Sequence, residues 1–285
     1  MSRAVVVMAP AKVNLTLEVL GSRADGYHEL ASVFATVDLR DRVRVAPWRE
    51  LDVRIAPDVA AAAGDDLASR AVRALADACA RPALAHVRVR KRIPVAAGLG
   101  GGSSDAGAVL RALSRAWRLD GVDLAPIAAR VGSDVPFFVS GAAYALVRGR
   151  GELVDALPAP EPLWIALVQL REQVSTAEVF AAHRAKPSHG ARSGDLAKAL
   201  RDRNVTVAAI RDRLHNDLLD AAERVAPAIA EARKTASAMG IDLAMSGSGP
   251  SLFALGDDRA DAIRIARRLR RTGLRVRVLA LGVTP

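Results

Sequence analysis

The chain is poor in cysteine, aromatic residues and lysine, and each shortage removes a class of protein. Cys79 is the single cysteine among 285 residues, so no internal disulfide forms and the disulfide-stapled secreted scaffolds are excluded. A reducing, cytoplasmic setting is the expected localisation. Aromatic residues make up 4% of the chain, which leaves Ala, Val and Leu to build the interior. No apolar run reaches the roughly 20 residues of a membrane span. The opening MSRAVVVMAPAK holds only a short apolar stretch and reads as a first strand rather than a signal peptide. His28, His86, His183, His189 and His215 show neither H-E-x-x-H nor paired-Cys spacing, so no protein-built metal centre is readable.

What is present is an ordinary globular balance of 51% apolar and 25% charged residues. The length suffices for one large or two ordinary domains, each with its own core. The formal net charge of +10 comes almost wholly from arginine, since only Lys12, Lys91, Lys186, Lys198 and Lys234 are lysines. That charge fits a nucleic-acid surface, the attraction of polyphosphate substrates, or a compositional bias toward Arg spread over solvated faces. The third reading is preferred. The densest cluster, Arg264 to Arg271, lies on an amphipathic helix and has no interleaved aromatics of the kind single-strand binding uses. No nucleic-acid or membrane partner is expected.

The most informative run is PVAAGLGGGSSDAG, residues 94–107. Val87 to Arg90 alternates like a strand before it. After it, Ala106, Val109, Leu110, Leu113 and Trp117 recur at helical spacing. A strand, a glycine loop and a helix N-terminus together suit an anion: glycines let the backbone approach a phosphate, and free N–H groups of the first turn point at it. Ser103 or Ser104 can cap the helix or donate to the same oxygens. The spacing matches neither G-x-x-x-x-G-K-[ST] nor G-x-G-x-x-G. A plain glycine hinge is the alternative, but Gly98, Gly100, Gly101 and Gly102 before a well-formed helix carry an entropic cost unless the backbone needs them.

Along the chain, strands are expected at Val5–Met8, Val13–Leu20, Leu30–Leu39, Val43–Ala46 and Leu51–Ile55, then a helix from Asp66 to Ala80. A helix at Leu124–Val131 precedes a hairpin of Ala143–Val147 and Glu152–Val154. The segment Leu157 to Pro162, LPAPEP, is the strongest breaker and the natural domain boundary. Beyond it come a strand at Leu163–Leu170, helices at Thr176–Arg184, Asp195–Arg201, Ala221–Met239 and Arg259–Arg271, and strands at Leu243–Met245, Ser251–Leu255 and Leu274–Leu281. Lys186–Gly194 reads as a loop. The mixture indicates an α+β second domain.

PVAAGLGGGSSDAG, together with APAKVNLTLEVLGSRADGYHEL (9–30) and MSGSGPSLFAL (245–255), resembles the motifs of the GHMP kinases in the family's order. RADGYHEL resembles the branch that phosphorylates the 2-hydroxyl of 4-diphosphocytidyl-2-C-methyl-D-erythritol, in the non-mevalonate isoprenoid route. The resemblance implies an α+β, two-domain GHMP kinase fold: an N-terminal α/β sandwich domain over 1–160, a ferredoxin-like C-terminal domain over 161–285, and an active site in the cleft between. It implies ATP with Mg2+ as cofactors and a cytidine-diphosphate sugar alcohol as the second substrate. Lys12 and Asp134 are then the catalytic pair, although each alone is equally a solvated lysine and a turn or N-cap aspartate. ATP would be held by Pro94, Ala96, Ala97, Gly98, Leu99, Gly100, Gly101, Gly102, Ser103 and Ser104, with Lys91 beside them and Ser104 a candidate magnesium ligand. Asn14 would meet the erythritol hydroxyls. Tyr27 and His28 supply a stacking face and an edge reader for cytosine, Phe180 the second stacking face, and Thr176 lies one turn before it. Ser246, Gly247, Ser248 and Gly249 would close over the acceptor phosphates; alone they are also a tight turn between strands. Asp66 stands where the family often has Asn near the adenine.

Overall fold

The computed structural model describes residues 4–57, 66–160, 162–203 and 205–284. Its first half runs β1 (Val5–Ser22), β2 (His28–Pro47), β3 (Leu51–Ala56), α1 (Leu67–Ala78), β4 (Ala85–Arg90), α2 (Gly101–Ala116), α3 (Ala125–Val131), α4 (Val135–Ser140), β5 (Tyr144–Gly149) and β6 (Leu153–Leu157). The second half runs β7 (Trp164–Gln169), α5 (Thr176–Ala182), α6 (Ala191–Arg201), α7 (Val207–Arg211), β8 (His215–Asn216), α8 (Leu219–Val225), α9 (Ala228–Ser237), β9 (Ala244–Met245), β10 (Leu252–Gly256), α10 (Arg259–Arg270) and β11 (Arg275–Ala280). Glu161, within the expected boundary segment LPAPEP, lies outside the described residues.

Seven strands form the first sheet, in the order β3-β4-β2-β1-β8. β2 is long enough to hold two neighbours on one edge: residues 42–47 pair with β4 and residues 30–35 with β5, which in turn pairs with β6. The inner face of this sheet places Val43, Val45, Val87 and Val89 against Val72 and Leu75 of α1 and Val109, Leu110 and Leu113 of α2. A Cβ on Gly107 would stand 2.8 Å from Phe138 Cβ, so α2 and α4 approach more closely than any side chain at that position allows.

The second sheet has the order β11-β7-β10-β9, all neighbours antiparallel. With helices between β7 and β9 and α10 between β10 and β11, this is the ferredoxin-like arrangement. Alternation along β7 divides its side chains between two cores. Ala166 and Val168 pack with Ile229, Ala232, Ala266 and Leu269 of α9 and α10. Ile165 and Leu167 pack with Val13, Leu15, Val33 and Ala35 of the first sheet. The two halves are therefore joined by apolar packing, and β8 also pairs parallel with β1 at Thr16–His215 and Leu17–Asn216.

Several elements differ from expectation for local reasons. Val5–Met8 and Val13–Leu20 are one strand, because β1 passes Pro10 through a register shift at Pro10/Ala11 instead of ending there. Leu30–Leu39 and Val43–Ala46 likewise merge into β2. The expected helix Ala221–Met239 breaks into α8 and α9 because Pro227 drives Ala226 out of the helical region, to φ −134 and ψ 88. The loop expected at 186–194 ends early, since α6 begins at Ala191 behind a left-handed Gly190. The short helices α4 and α7 were not anticipated; α4 is held by burial of Phe137 and Phe138 rather than by any periodic signal.

Candidate active site

A cavity of about 570 Å3 opens where the two sheets meet the N-terminus of α2. The glycine run forms its wall. Gly98 and Gly100 take φ +71 and +66, the left-handed region that side chains resist, and a Cβ on Gly98 would lie 2.2 Å from the Ser246 carbonyl oxygen. Gly100 is the N-cap of α2 and provides no side-chain cap. The first N–H groups of this 16-residue helix therefore lack intrahelical acceptors and meet the positive end of its dipole. That is an anion site by construction. Pro94, Ala96, Ala97, Leu99, Gly101, Gly102 and Ser103 line the cavity with Gly98 and Gly100.

Ser104 does not act as either a cap or a cavity group. Its side chain is buried and its hydroxyl donates to the Pro10 carbonyl at 2.6 Å, tying α2 to β1. Ser103, one residue earlier, takes the cavity-facing place.

Lys12 is buried at the floor of the cavity, with Nζ 3.6 Å from Asp134 Oδ2. Nζ also donates to Asn14 Oδ1 at 2.6 Å and lies 4.5 Å from the centre of the Phe34 ring. Burial pulls the Lys12 pKa down, and the charge and hydrogen bond of Asp134 oppose it. Asp134 sits at the N-cap position of α4 but makes no side-chain cap bond, so its carboxylate is available to the cavity. Asn14 Nδ2 donates to Ser32 Oγ at 2.9 Å, which fixes its amide.

Lys91 lies beneath the loop between two carboxylates: Nζ is 2.5 Å from Asp41 Oδ2 and 2.6 Å from Asp105 Oδ2. Asp41 is wholly buried and also accepts from Ile93 N at 2.9 Å and from Arg92 N. Burial works against the Lys91 ammonium, but Asp105 and Asp41 outweigh it and raise its pKa. Burial, with Asp41 adding and Lys91 opposing, pushes the Asp105 carboxyl up to about 7. Asp66 caps α1, accepting from Ser69 N at 2.9 Å and from Ser69 Oγ at 2.6 Å, so its carboxylate is committed although it borders the cavity.

On the opposite side Thr176, Phe180, Gly247 and Ser248 complete the wall. Thr176 and Ser248 share a hydroxyl hydrogen bond of 2.9 Å. Ser246 Oγ donates to the Gly98 carbonyl at 2.9 Å and accepts from Asn14 N at 3.3 Å, so the third motif is latched onto the first two. Gly247 and Gly249 supply the turn with φ +59 and +82.

His28, expected as an edge reader for the base, stacks directly on Phe180, with centroids 4.7 Å apart and planes at 29°. Tyr27 is 49% exposed and its ring faces the Arg150 guanidinium at 5.0 Å, because the Asp25–Gly26 turn swings it outward. Neither Tyr27 nor His28 belongs to the cavity lining, whereas Arg150 does.

Two contributors escaped the sequence reading. Arg150 was hidden in what looked like a hairpin turn. Asn216 donates from Nδ2 to the Met245 and Gly247 carbonyls at 2.9 and 2.8 Å, and so shapes the third motif. Its only sequence signal is a polar His215-Asn216-Asp217 step between apolar residues.

A ferredoxin-like sheet closing over a glycine loop, with a buried Lys12 paired to a half-buried Asp134 between, defines the class of GHMP kinases. The family described as GHMP kinases N terminal domain matches residues 66–142, and GHMP kinases C terminal matches residues 196–274. Within that class the chain belongs to the 4-diphosphocytidyl-2-C-methyl-D-erythritol kinase family. It is 37% identical to the kinase of that name from Shouchella clausii over 269 residues, covering 93% of this chain and 90% of the relative. It is 39% identical to that from Pelotomaculum thermopropionicum over 274 residues, with 94% of both covered. A crystal structure of 4-(cytidine 5'-diphospho)-2C-methyl-D-erythritol kinase superposes with a TM-score of 0.78 at 35% identity, covering 98% of this chain and 100% of the other. Homoserine kinase from Cytophaga hutchinsonii, at 19% identity and a TM-score of 0.74 over 100% of this chain and 96% of its own, shares the fold.

Proposed function

We propose that this chain transfers the γ-phosphoryl group of ATP to the 2-hydroxyl of 4-diphosphocytidyl-2-C-methyl-D-erythritol, in the non-mevalonate isoprenoid route. The observation that carries the reading is the Lys12–Asp134 pair, 3.6 Å apart and facing the glycine loop across one cavity. The hydroxyl oxygen attacks the γ-phosphorus, its proton passes to Asp134, and the bond to the β-phosphate oxygen breaks to release ADP. Lys12 sets an ammonium beside Asp134 and offsets charge gathering on the transferred group. The helix N-terminus and loop amides hold the β- and γ-phosphates in line, which is most of what phosphoryl transfer asks of a protein.

Magnesium would accompany the nucleotide. Among the described residues no group of three or more metal-ligating side chains exists, and Ser104 is committed to Pro10. That donor set suits an ion held mainly by phosphate oxygens, with Asp134 the carboxylate nearest the reaction. When bound, Mg2+ neutralises the phosphate charge.

On the acceptor side, Phe180 offers a ring to the cytosine and His28 positions that ring. Thr176, Ser248 and Gly247 border the acceptor phosphates, and Asn14 the erythritol hydroxyls. The division at residues 160 and 161 leaves the nucleotide loop in one lobe and the closing loop in the other. The partners are these small molecules rather than nucleic acid or membrane. Among the described residues no helix is long and apolar enough to cross a membrane. The free thiol of Cys79 accords with a cytoplasmic setting.

The test is ADP release by the purified protein with ATP, Mg2+ and the cytidylyl acceptor, beside the uridylyl analogue. Turnover confined to the cytidylyl compound is the expected result. Turnover with neither, while ATP still binds, would leave a kinase of a different alcohol.

A further inference from the structure

The outer face of the first sheet carries a block of arginine that the reaction does not use. Val43, Val45, Val87 and Val89 point into the core, so Arg42, Arg44, Arg88 and Arg90 project to the other face. The register sets Arg42 opposite Arg90 and Arg44 opposite Arg88, and β3 sets Arg54 on the other side of Arg88. Like charges directly opposed destabilise a sheet. Here the arrangement repeats across neighbouring strands and is scarcely neutralised. Asp52 serves Arg54 and His86. Arg88 Nε donates to His86 Nε2 at 3.0 Å, which orders the guanidinium without cancelling its charge. Among the described residues Arg42, Arg44, Arg88 and Arg90 have no carboxylate partner.

Strands about 4.8 Å apart, with same-face residues about 6.6 Å apart, give these side chains a grid of about 7 by 10 Å. The arginines, with Ala56, Pro57, Val89 and Lys91, line a groove of about 650 Å3, the size of a small-molecule site; Lys91 also borders the catalytic cavity, so the two sites are neighbours. Among the described residues positive charge stops at β1, where Val6 and Met8 lie opposite Arg44 and Arg42. The ligand is therefore compact, and guanidinium forks match phosphate oxygens bidentately. A nucleic-acid strand would need the charge to continue beyond β1.

We infer that this sheet face is a second anion site, beside the catalytic cavity and bordering it at Lys91, which takes the di- or triphosphate group of a small soluble molecule. The site goes beyond the kinase reaction and does not depend on the identity of its acceptor.

The experiment is calorimetric titration of the full chain at 50 mM salt with inorganic tripolyphosphate, diphosphate and a non-hydrolysable ATP analogue. It is repeated on R44Q/R88Q and R42Q/R90Q. Tripolyphosphate is expected to bind at a site left open when one equivalent of the analogue has filled the cavity. Its affinity should fall at least tenfold in each double variant and fall with added salt. Turnover should stay within twofold of the parent, which shows that both variants fold. Their melting temperatures, measured without ligand, should equal or exceed the parent's because the cross-strand repulsion is relieved. A second, weak equivalent of the analogue, lost in the variants, identifies a nucleotide tail as the source; binding of inorganic oligophosphate alone identifies a free one. The inference is overturned if tripolyphosphate binds only in competition with the first equivalent, if the variants bind it unchanged, or if a single-stranded RNA oligomer of equal charge binds this face more tightly.

Discussion

Burying a lysine ammonium is unfavourable by several kcal/mol unless partners replace its water. Lys12 has three such partners: the Asn14 amide oxygen, the Phe34 ring and the Asp134 carboxylate. Only Asp134 is charged and only Asp134 is partly exposed, at 29%, so it alone both stabilises Lys12 and reaches the reacting hydroxyl. Asp134→Asn preserves shape and removes the proton acceptor. Its kcat should fall by about 10²–10⁴, the range of a lost general base, while ATP affinity stays within about threefold. Turnover assays beside nucleotide titration check this, and near-normal turnover would remove Asp134 from the reaction. Phe180 allows a separate test. Phe180→Ala should raise the KM for the cytidylyl acceptor about tenfold or more and leave the KM for ATP unchanged, because base stacking contributes about 1–3 kcal/mol. These residues were legible in the sequence by type and motif, since AKVN, GSDVP and DGYHEL each set chemistry beside a turn or strand start. Their pairing was not. That His28 meets Phe180 while Tyr27 turns to Arg150 depends on how the Asp25–Gly26 turn projects them, and that direction leaves no mark in residue spacing.

At the scale of single elements, the glycine loop is held by contact as well as by backbone freedom. Gly98 combines φ +71 with a Cβ position 2.2 Å from the Ser246 carbonyl oxygen and 2.9 Å from that of Gly249. Gly98→Ala therefore meets left-handed strain of about 1–2 kcal/mol and overpacking of about 1–3 kcal/mol. Gly121 has φ +79 and nothing within 4 Å of its Cβ position, so Gly121→Ala meets the strain alone. Chemical denaturation should rank Gly98→Ala as the less stable by about 1–3 kcal/mol. Only Gly98→Ala should also lose ATP affinity, because displacing Ser246 opens the latch between the motifs. An equal loss for both would show that the contact carries no energy. The strand–loop–helix unit was readable because two periods, 2 and 3.6, meet at a cluster of glycines. The break at Pro227 was less visible, since apolar spacing continues from Ala221 through Ala236 and only the local restriction before proline interrupts it. Helix α4 was invisible for the opposite reason: at six residues it is too short to show a period.

For the whole molecule, the mixture of strand and helix signals pointed to α+β architecture in the second half, but the sheet order came from contacts distant in sequence. β8 pairs with β1 across about 200 residues, a juxtaposition no local pattern encodes. Long-range charge is equally hidden. Asp41 comes from β2, Lys91 from the segment after β4 and Asp105 from α2, and together they tie the first sheet to the phosphate-binding helix. Two buried carboxylates share one ammonium, so the group retains an extra proton: burial raises the Asp105 carboxyl to about 7. In the unfolded chain the same carboxyl titrates near 3.8. Between these values the folded state binds more protons than the unfolded one, so this group's contribution to stability is fully present below the lower value. It declines as pH rises toward about 7 and is constant above. Asp105→Asn keeps the side-chain shape and abolishes the titration. The difference in unfolding free energy, variant minus parent, should therefore shift in favour of the variant between pH 5 and pH 8. Taking the difference cancels the titrations the two proteins share, and denaturant unfolding at each pH measures it. A difference that does not change with pH would mean that Asp105 is ionised throughout and that Lys91 alone compensates both carboxylates.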